Sequence, residues 1–314
     1  MGVFHQPVMV DEVLAYLKCQ SGGIYVDGTL GGGGHAEAIL TQSAPDGLLV
    51  GIDRDEEALE ESRKRLAHYG SRVVFRKGDF AQIKTILGDL GFSAVDGILL
   101  DLGVSAHQLD TADRGFSFNL DGPLDMRMDR SQAVTAGDLI AKLSVDDLTR
   151  IIQNYGEEPM ARRIAHAIAV QRKTALLQST QELSELVLHA LPPRARRKGI
   201  HPATRTFQAL RIAVNEELKS LRQALKEGID ILKPHGRFCV ISFHSLEDRI
   251  VKEAFRTGEH PCICPAAMPV CSCGKLPVLK VINRRPLRPR EEEVRLNPRA
   301  RSARMRTAER MECP

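Results

Sequence analysis

Tryptophan is absent from this 314-residue chain, and aromatic residues of all kinds make up only 4% of it. A sheet that binds single strands by stacking bases on aromatic side chains is therefore not expected. No apolar run approaches the ~20 residues that a membrane-spanning helix needs. The first residues also lack the basic and apolar regions of a secretory signal. We therefore expect a cytoplasmic protein without a membrane partner.

The number of cysteines does not favour a disulfide framework. Seven cysteines, an odd count, are typical of a chain that is kept in the reducing cytoplasm. The apolar fraction of 43% is enough for a sizeable core, and the length suits one large domain or two smaller ones.

The most informative motif is a glycine run between two predicted strands. The run Asp27-Gly-Thr-Leu-Gly-Gly-Gly-Gly-His35 follows a β-prone segment, and Leu48-Leu-Val-Gly-Ile-Asp53 is a second strand that ends in an acid. The glycines let the backbone approach a ligand, and the helix that starts at His35 offers it free N–H groups. An acid about 20 residues past the glycines is placed to bond both ribose hydroxyls. The pattern predicts a nucleoside-binding pocket in an α/β fold.

Two cofactors compete for this pocket. The spacing Gly31-x-Gly33-x-x-Ala36 satisfies the dinucleotide fingerprint, so an NAD-dependent oxidoreductase is one interpretation. Asp27, however, would repel a pyrophosphate and attract the ammonium and sulfonium groups of S-adenosylmethionine. Asp79 and Asp101 end two further predicted strands, so four acids surround one crevice and favour the cationic ligand. The alternative is that each Asp only caps the next helix or turn.

The α/β pattern is interrupted after the fourth predicted strand. Residues 106–202 contain capping signals and helical patterns but no convincing strand. A long helical stretch then runs from Thr204 to Leu232 and leads into a fifth strand. We therefore predict a discontinuous α/β domain, residues 1–105 and 203–314, with a helical insertion at 106–202. An insertion at the carboxyl ends of the strands is placed to select a second substrate.

Positive charge is concentrated in two segments, although the net charge is only +4. The range Arg284–Arg310 holds ten Arg and four Glu, and a second basic run contains Arg194, Arg196, Arg197 and Lys198. Localised basic patches on a near-neutral chain predict a surface that binds a polyanion. The alternative is a solvated surface segment.

Seven motifs follow one another along nearly the whole chain. They are Asp27–His35, Leu100–Gln108, Arg114–Phe118, Gly122–Asp129, His201–Arg211, Ser242–Arg249 and Asn297–Ser302. Together they closely resemble the bacterial 16S ribosomal RNA cytosine-N4 methyltransferase family. The resemblance implies a class I, Rossmann-like, S-adenosylmethionine-dependent methyltransferase sheet with an inserted all-helical domain. It also implies methylation of N4 of one cytidine in 16S rRNA, near the decoding centre of the small ribosomal subunit.

The resemblance implies a set of cofactor contacts as well. They are Gly33, Gly34, His35, Asp53, Phe80, Asp101 and Gln108. The residue pattern by itself predicts Asp27, Gly31, Gly33, Gly34, Asp53, Asp79 and Asp101. His35, Phe80 and Gln108 follow from the resemblance only.

Cytosine N4 is a poor nucleophile, so a hydrogen-bond acceptor facing its hydrogens would assist the transfer. Related amine methyltransferases carry Asp/Asn-Pro-Pro-aromatic after strand four, whereas this chain has Asp101-Leu-Gly-Val. Asp101, Ser105, Asp125 and a main-chain carbonyl are therefore all open candidates for the acceptor.

The target base must leave its stack to reach the methyl group. Phe116 and Phe118 are candidates to flank it, and ordinary loop packing is the alternative. His244, after the fifth strand, is a further candidate substrate contact, and a histidine at such a position is more often hydrogen-bonding or structural than a general base. A strong base is not required, because the product proton becomes acidic once N4 is methylated.

Cys262, Cys264, Cys271 and Cys273 form a separate candidate site. Four thiols within twelve residues are able to enclose a tetrahedral, structural Zn²⁺. The C-x-C spacing is tighter than the usual C-x-x-C, and a loop with free thiols is the alternative.

A competing function of another class is an RNA-binding ribosome assembly factor without catalysis, which keeps a vestigial nucleoside pocket. The intact glycine loop and the four strand-end acids argue against such decay. The pattern is compatible with a monomer and with a homodimer.

Overall fold

The computed structural model describes residues 7–193, 199, 201–265 and 272–312. It divides into two compact units, of which unit 1 comprises residues 1–103 and 218–314. Unit 2 comprises residues 104–217.

Within the described residues, seven strands form one sheet in unit 1. They are β1 (Ile24–Asp27), β2 (Leu48–Asp53), β3 (Val73–Lys77), β4 (Val95–Asp101), β5 (Leu232–Ser242), β6 (Leu279–Val281) and β7 (Arg304–Arg310). Their order is β3-β2-β1-β4-β5-β7-β6. The first five are parallel, whereas β7 is antiparallel to both β5 and β6. The order reverses between β1 and β4, which is where open α/β sheets bind ligands.

The predicted strand-end acids lie along one edge of this sheet. Asp27, Asp53 and Asp101 are the last residues of β1, β2 and β4, and Asp79 follows β3 by two residues. Because these four strands are parallel neighbours, their carboxyl ends open on the same side.

The helices of unit 1 cover the sheet. They are α1 (Val10–Leu17), α2 (Gly34–Gln42), α3 (Glu56–Leu66), α4 (Ile83–Asp89), α11 (Glu217–Ile231, whose first residue belongs to unit 2), α12 (Ser245–Glu259) and α13 (Glu291–Leu296). Apolar side chains of α1, such as Leu17, and of α2, such as Ile39, join Leu49 and Leu99 of the sheet in one core. That core fixes the start of α2, and with it the glycine loop, against the sheet.

Unit 2 is helical in its described residues. Its helices are α5 (Ala106–Asp110), α6 (Ala136–Lys142), α7 (Val145–Gly156), α8 (Ala161–Gln171), α9 (Thr180–Ala190) and α10 (Thr204–Asn215). Ser179 caps α9 in a reciprocal capping box with Glu182, and Ser144 caps α7. Apolar faces of these helices, including Ile152, Ile164 and Leu183, meet in a core of their own.

The helical stretch predicted from Thr204 to Leu232 is helical in the structure and consists of two helices. Glu216 has a left-handed backbone (φ 49°) and separates α10 from α11. α10 packs on α7 and α6, so it belongs to unit 2, and the compact unit ends at Glu217 rather than at the predicted residue 202. None of the helices in the described ranges has the length and apolar character needed to cross a bilayer.

Candidate functional site

The glycine loop is held open by positive φ angles and by two side chains. Gly31 and Gly33 have φ of 51° and 76°, a region that residues with a Cβ adopt rarely. The Gly31 N–H donates to Asp53 Oδ2 (2.8 Å), and the Ser62 hydroxyl donates to the Gly31 carbonyl (2.6 Å). A Cβ on Gly34 would lie 2.8 Å from Pro7 Cγ. The loop therefore has a fixed shape beside the ends of β1 and β2.

Asp27 is a buried carboxylate with one uncompensated oxygen. Its side chain is 1% exposed, and Oδ1 accepts from the Thr29 N–H at 3.1 Å. Oδ2 is buried and has no hydrogen-bond partner among the described residues. Burial raises the pKa of Asp27 to about 7, and the charges of Asp101 and Asp53 add to the shift. A cationic ligand would relieve this arrangement, whereas an anionic one would worsen it.

Asp53 is oriented by two backbone amides. Oδ2 accepts from the Gly31 N–H, and Oδ1 accepts from the Asp55 N–H at 2.9 Å. Burial raises the pKa of Asp53 to about 6, although both amide hydrogen bonds oppose the shift. Each carboxylate oxygen keeps lone-pair capacity for a further donor, as bonding two ribose hydroxyls requires.

His35 connects the loop to Asp101. Its Nε2 lies 2.8 Å from the Val8 carbonyl, and its Nδ1 lies 3.6 Å from Asp101 Oδ2. Since a carbonyl only accepts, Nε2 carries a proton. The Asp101 N–H donates to the Thr29 hydroxyl at 2.6 Å. Thr29 thus contacts both Asp27 and Asp101. Sequence reasoning missed this role, although the sequence Asp-Gly-Thr at the end of β1 would have indicated it.

Asp79 is already engaged by protein groups. Its Oδ2 accepts from Arg54 (2.6 Å) and Ser220 (2.7 Å), and Oδ1 caps the short 3₁₀ helix that starts at Phe80. These contacts match the alternative interpretation, in which Asp79 caps the next helical turn and does not bind a ligand. The Arg54 guanidinium also lies 5.7 Å from the centre of the Phe80 ring.

The stability of the ligand-free protein is expected to depend on Asp27 between mildly acidic and neutral pH. The folded pKa of about 7 lies above the ordinary 3.8, so the folded state keeps a proton that the unfolded chain has released. This contribution to stability is therefore lost as pH rises through that window. Asp27→Asn removes the titration, so its melting temperature should exceed that of the natural chain by more at pH 8 than at pH 5.

The check is a pair of thermal melts at each pH without cofactor. A domain of this size shifts by about 2–4 °C per kcal/mol, so a difference of several degrees is measurable. A gap that stays constant between the two pH values would contradict the raised pKa.

Ser105 and Gln108 belong to unit 2 and form a capping box at the start of α5. The Ser105 hydroxyl accepts from the Gln108 N–H at 3.1 Å, and the Ser105 N–H donates to Gln108 Oε1 at 3.0 Å. Gln108 is buried. Both side chains therefore stabilise the start of α5, in addition to any contact with cofactor or substrate.

Asp125 is paired with Arg127. The guanidinium donates to both carboxylate oxygens, at 2.7 and 2.8 Å. Burial alone would raise the pKa of Asp125, but the hydrogen bonds and charge of Arg127 hold it below its ordinary value. Asp125 is thus an ionised acceptor with much of its capacity used.

The two candidate base-flanking residues differ in environment. Phe116 is 7% exposed and lies in the core of unit 2, so its burial supports the packing role. Phe118 is partly exposed, and its ring stacks on His201 with centroids 4.5 Å apart. Its other neighbour is Phe207, in an edge contact at 5.2 Å.

His244 is the N-cap of α12. Its Nδ1 accepts from the Glu247 N–H at 3.3 Å, while Glu247 Oε2 accepts from the N–H groups of Phe243 and His244. This reciprocal box corresponds to the structural role considered for His244.

Some arginines of the first basic segment form ion pairs with acids, whereas the second basic segment is not described by the structure. Arg304 and Arg306 both bind Asp248, and Arg290 pairs with Glu12, so these three serve the fold. Arg194, Arg196, Arg197 and Lys198 lie outside the described residues.

A cavity of about 250 Å³ beside α12 and β7 gathers further cations. Lys252, Arg256 and Arg284 line it together with Arg306, and its lining also includes Glu259, which pairs with His260. No ion pair joins the first three to an acid in the described ranges. This cationic cavity offers groups that suit phosphate.

Three of the four predicted zinc ligands lie together in the structure. They are Cys262, Cys264 and Cys273, and Cys271 lies outside the described residues.

Comparison with known proteins places the chain among methylases. A family model described as the MraW methylase family matches residues 2–311. Ribosomal RNA small subunit methyltransferase H of Syntrophus aciditrophicus (strain SB) is 56% identical over 308 residues, which cover 98% of each chain. The protein of the same name from Geotalea uraniireducens (strain Rf4) is 55% identical over 307 residues, with the same coverage. An rRNA methylase structure from Streptococcus thermophilus is similar at 10% identity and a TM-score of 0.43, covering 96% of this chain and 94% of that one.

Proposed function

Because the chain belongs to the MraW methylase family, we propose that it methylates the exocyclic N4 of one cytidine in 16S rRNA. The observation that carries the proposal is its 56% and 55% identity, over nearly full length, to enzymes named ribosomal RNA small subunit methyltransferase H. The motifs after β4 and around α10 support N4 of a cytidine near the decoding centre as the target. The substrate is then the RNA of the small ribosomal subunit, and the proposed location is the cytoplasm.

The residues of unit 1 suit S-adenosylmethionine as the methyl donor. The uncompensated Asp27 carboxylate would receive the cationic methionine end, and Asp53 would bond the ribose hydroxyls. Gly31, Gly33 and Gly34 would let the backbone approach the ligand. Phe80 would be a further contact, as the resemblance implies. The bound cofactor supplies a methyl carbon that is already activated by the sulfonium. The chain's task is alignment of the nucleophile at near-attack distance.

We propose Asp101 as the acceptor that faces the N4 hydrogens. Asp125 is already bonded at both oxygens by Arg127, and the Ser105 hydroxyl already accepts from an amide. Asp101 ends β4 at the same sheet edge as Asp27 and Asp53, and its Oδ2 lies 3.6 Å from His35 Nδ1. An acceptor there would help N4 to rehybridise and would leave the proton to pass to solvent after transfer.

Asp101→Asn is expected to slow single-turnover methylation about tenfold, the equivalent of one hydrogen bond of about 1–1.5 kcal/mol. Affinity for S-adenosylhomocysteine, measured by calorimetry, should change less than about threefold. Thr29→Val is the matched control, because it removes only the hydroxyl that holds the Asp101 backbone. A loss of cofactor affinity equal to the loss of rate would identify Asp101 as a cofactor ligand instead.

Unit 2 is proposed to select the RNA. Phe118 and the stacked His201 present the aromatic surface with the better access to an extruded base, whereas Phe116 is part of the core. Stacking on an aromatic surface is one way in which a flipped base is held.

We further propose that the cationic cavity contacts RNA phosphates. Lys252 and Arg256 stand four residues apart on α12, so they occupy the same exposed face. Their charges have no acidic partner in the described part of the chain, unlike those of Arg304 and Arg306. Lys and Arg side chains that bind RNA phosphates displace the counterions condensed on the RNA, which makes such binding salt-dependent.

The double variant Lys252→Ala/Arg256→Ala should bind RNA more weakly and with a flatter salt dependence. The slope of log affinity against log salt should fall by up to about one per lost contact, or about two in all. Arg222→Ala/Lys226→Ala, with the same spacing on α11, is the control and should keep the natural slope. A natural slope in the Lys252→Ala/Arg256→Ala variant would remove this cavity from the RNA interface. S-adenosylhomocysteine affinity should not change in either variant.

The activity is tested with labelled S-adenosylmethionine, purified 30S subunits and naked 16S rRNA, followed by nucleoside analysis. Label in N4-methylcytidine is the expected result. Label in another nucleoside would overturn the N4 assignment. The absence of label, together with intact S-adenosylhomocysteine binding, would favour the assembly-factor alternative. Calorimetric binding of NADH in place of S-adenosylhomocysteine would favour the oxidoreductase.

A further inference from the structure

Three thiols meet in the loop between α12 and β6. The sulfur atoms of Cys262, Cys264 and Cys273 all lie within 4.8 Å of one another, and those of Cys262 and Cys273 are 3.9 Å apart. Zinc–sulfur bonds of about 2.3 Å in a tetrahedron place neighbouring sulfurs about 3.8 Å apart. The separation of Cys262 from Cys273 therefore matches one edge of a zinc–thiolate tetrahedron, and the three cysteines are not joined by disulfides.

The loop that carries these thiols is closed at its base but has little apolar anchorage. The Val278 N–H donates to the Gly258 carbonyl and the Val281 N–H to Glu259, each at 2.9 Å. Beyond that base, none of residues 260–265 and 272–278 is buried, and Ile263 is 71% exposed. The described residues of this connection carry no helix or strand, and long connections of that kind are usually functional segments or flexible linkers.

A backbone donor already faces one of the sulfurs. The Ser272 N–H donates to Cys264 Sγ at 3.4 Å. Amide hydrogen bonds to coordinating groups orient the ligands and tune the metal site. Three separate observations indicate that the thiols bind a ligand. They are this amide donor, the spacing of the sulfurs and the exposure of the loop.

We propose that Cys262, Cys264 and Cys273 bind a structural Zn²⁺ that clips this loop. The three thiolates would replace the apolar anchorage that the loop lacks, and the ion would take no part in methyl transfer. Zinc binding to cysteine releases the thiol protons and changes no oxidation state, so no redox partner is needed. Three thiolates leave one position of a zinc tetrahedron for a further ligand.

The first measurement is the metal content of the full chain, purified under reducing conditions with zinc in the medium. One zinc per chain, with three or four sulfur ligands in X-ray absorption, is the expected result. Titration of the metal-free chain with Co²⁺ should also give a thiolate charge-transfer band. A chain that holds less than a tenth of an equivalent of zinc and gives no such band would overturn the proposal, as would a disulfide in place of the metal.

Variants separate the site from general damage to the loop. Cys262→Ser and Cys273→Ser should each lose bound zinc and lower the melting temperature. Cys19→Ala, at a buried thiol outside the loop, and Ile263→Ser, at an exposed loop position, should keep the zinc. S-adenosylhomocysteine affinity should survive zinc removal; its loss without unfolding would contradict a purely structural ion. Because metal content is measured without turnover, this test stands apart from the test of methylation.

Discussion

Asp27→Asn is expected to weaken S-adenosylmethionine binding by about 2–3 kcal/mol, a factor of roughly 30–150, through the loss of a charged hydrogen bond. The carboxylate is buried with one oxygen uncompensated, and burial raises its pKa to about 7. A bound cation would pull that pKa down and ionise the group, so much of the attraction arises only when the ligand is present. The asparagine side chain keeps the shape of the site and the Thr29 contact but removes the charge.

Ligand fragments show which end of the cofactor Asp27 receives. Adenosine lacks the methionine end, so its affinity should be the same for the natural chain and for Asp27→Asn. S-adenosylhomocysteine keeps the ammonium but has a neutral sulfur, so its loss should be smaller than that of S-adenosylmethionine. Calorimetry on all three ligands is the measurement. An equal loss for adenosine would mean that Asp27 shapes the pocket and does not bind the cation.

Asp53→Ala should cost a similar 2–3 kcal/mol, but for every ligand that carries the ribose. Two backbone amides fix the carboxylate, so it needs little reorganisation to receive the two hydroxyls. Adenosine, S-adenosylhomocysteine and S-adenosylmethionine should therefore lose affinity together. Unchanged affinity for all three would remove Asp53 from the site.

Asp53 also holds the glycine loop through Gly31, so the ribose effect must be separated from a looser loop. A double-mutant cycle does this, with 2′,3′-dideoxyadenosine as the ligand that lacks the hydroxyls. If the hydroxyls bind Asp53, the variant and the natural chain should bind dideoxyadenosine almost equally. A full loss with dideoxyadenosine would assign the effect to the loop. Ser62→Ala, which removes the other loop contact, is the matched control for that outcome.

The parallel part of the sheet was predictable because the sequence patterns that indicate its strands are short and local. Apolar runs that end in Asp27, Asp53 and Asp101 carry both the strand and its carboxyl end in one short segment. The glycine run between β1 and α2 is equally local, since it is too flexible for a strand interior and suits a tight approach. The membership of the methyltransferase fold followed from these segments and from the motif order.

Other features were set by tertiary contacts that no short segment contains. The helical pattern from Thr204 onward gives no warning of the left-handed Glu216. β6 is only three residues long, and β7 is rich in charge, yet its Arg306 is buried because it binds Asp248. The engagement of Asp79 by Arg54 and Ser220 depends on residues far apart in sequence. Such long-range pairings leave little trace in periodicity.

The interruption of the sheet sets an order of events during synthesis. β4 and β5 are adjacent in the sheet, but all of unit 2 is translated between them. Unit 2 has a core of its own, so it is able to fold while the edge of β4 that pairs with β5 is still unpaired. The other edge of β5 stays unpaired until β7 is made, and β7 comes after α12 and β6 in the chain. Pairings of such long sequence separation form slowly. The nascent chain therefore carries exposed strand edges late into translation, and these edges are the surfaces that a chaperone would have to cover.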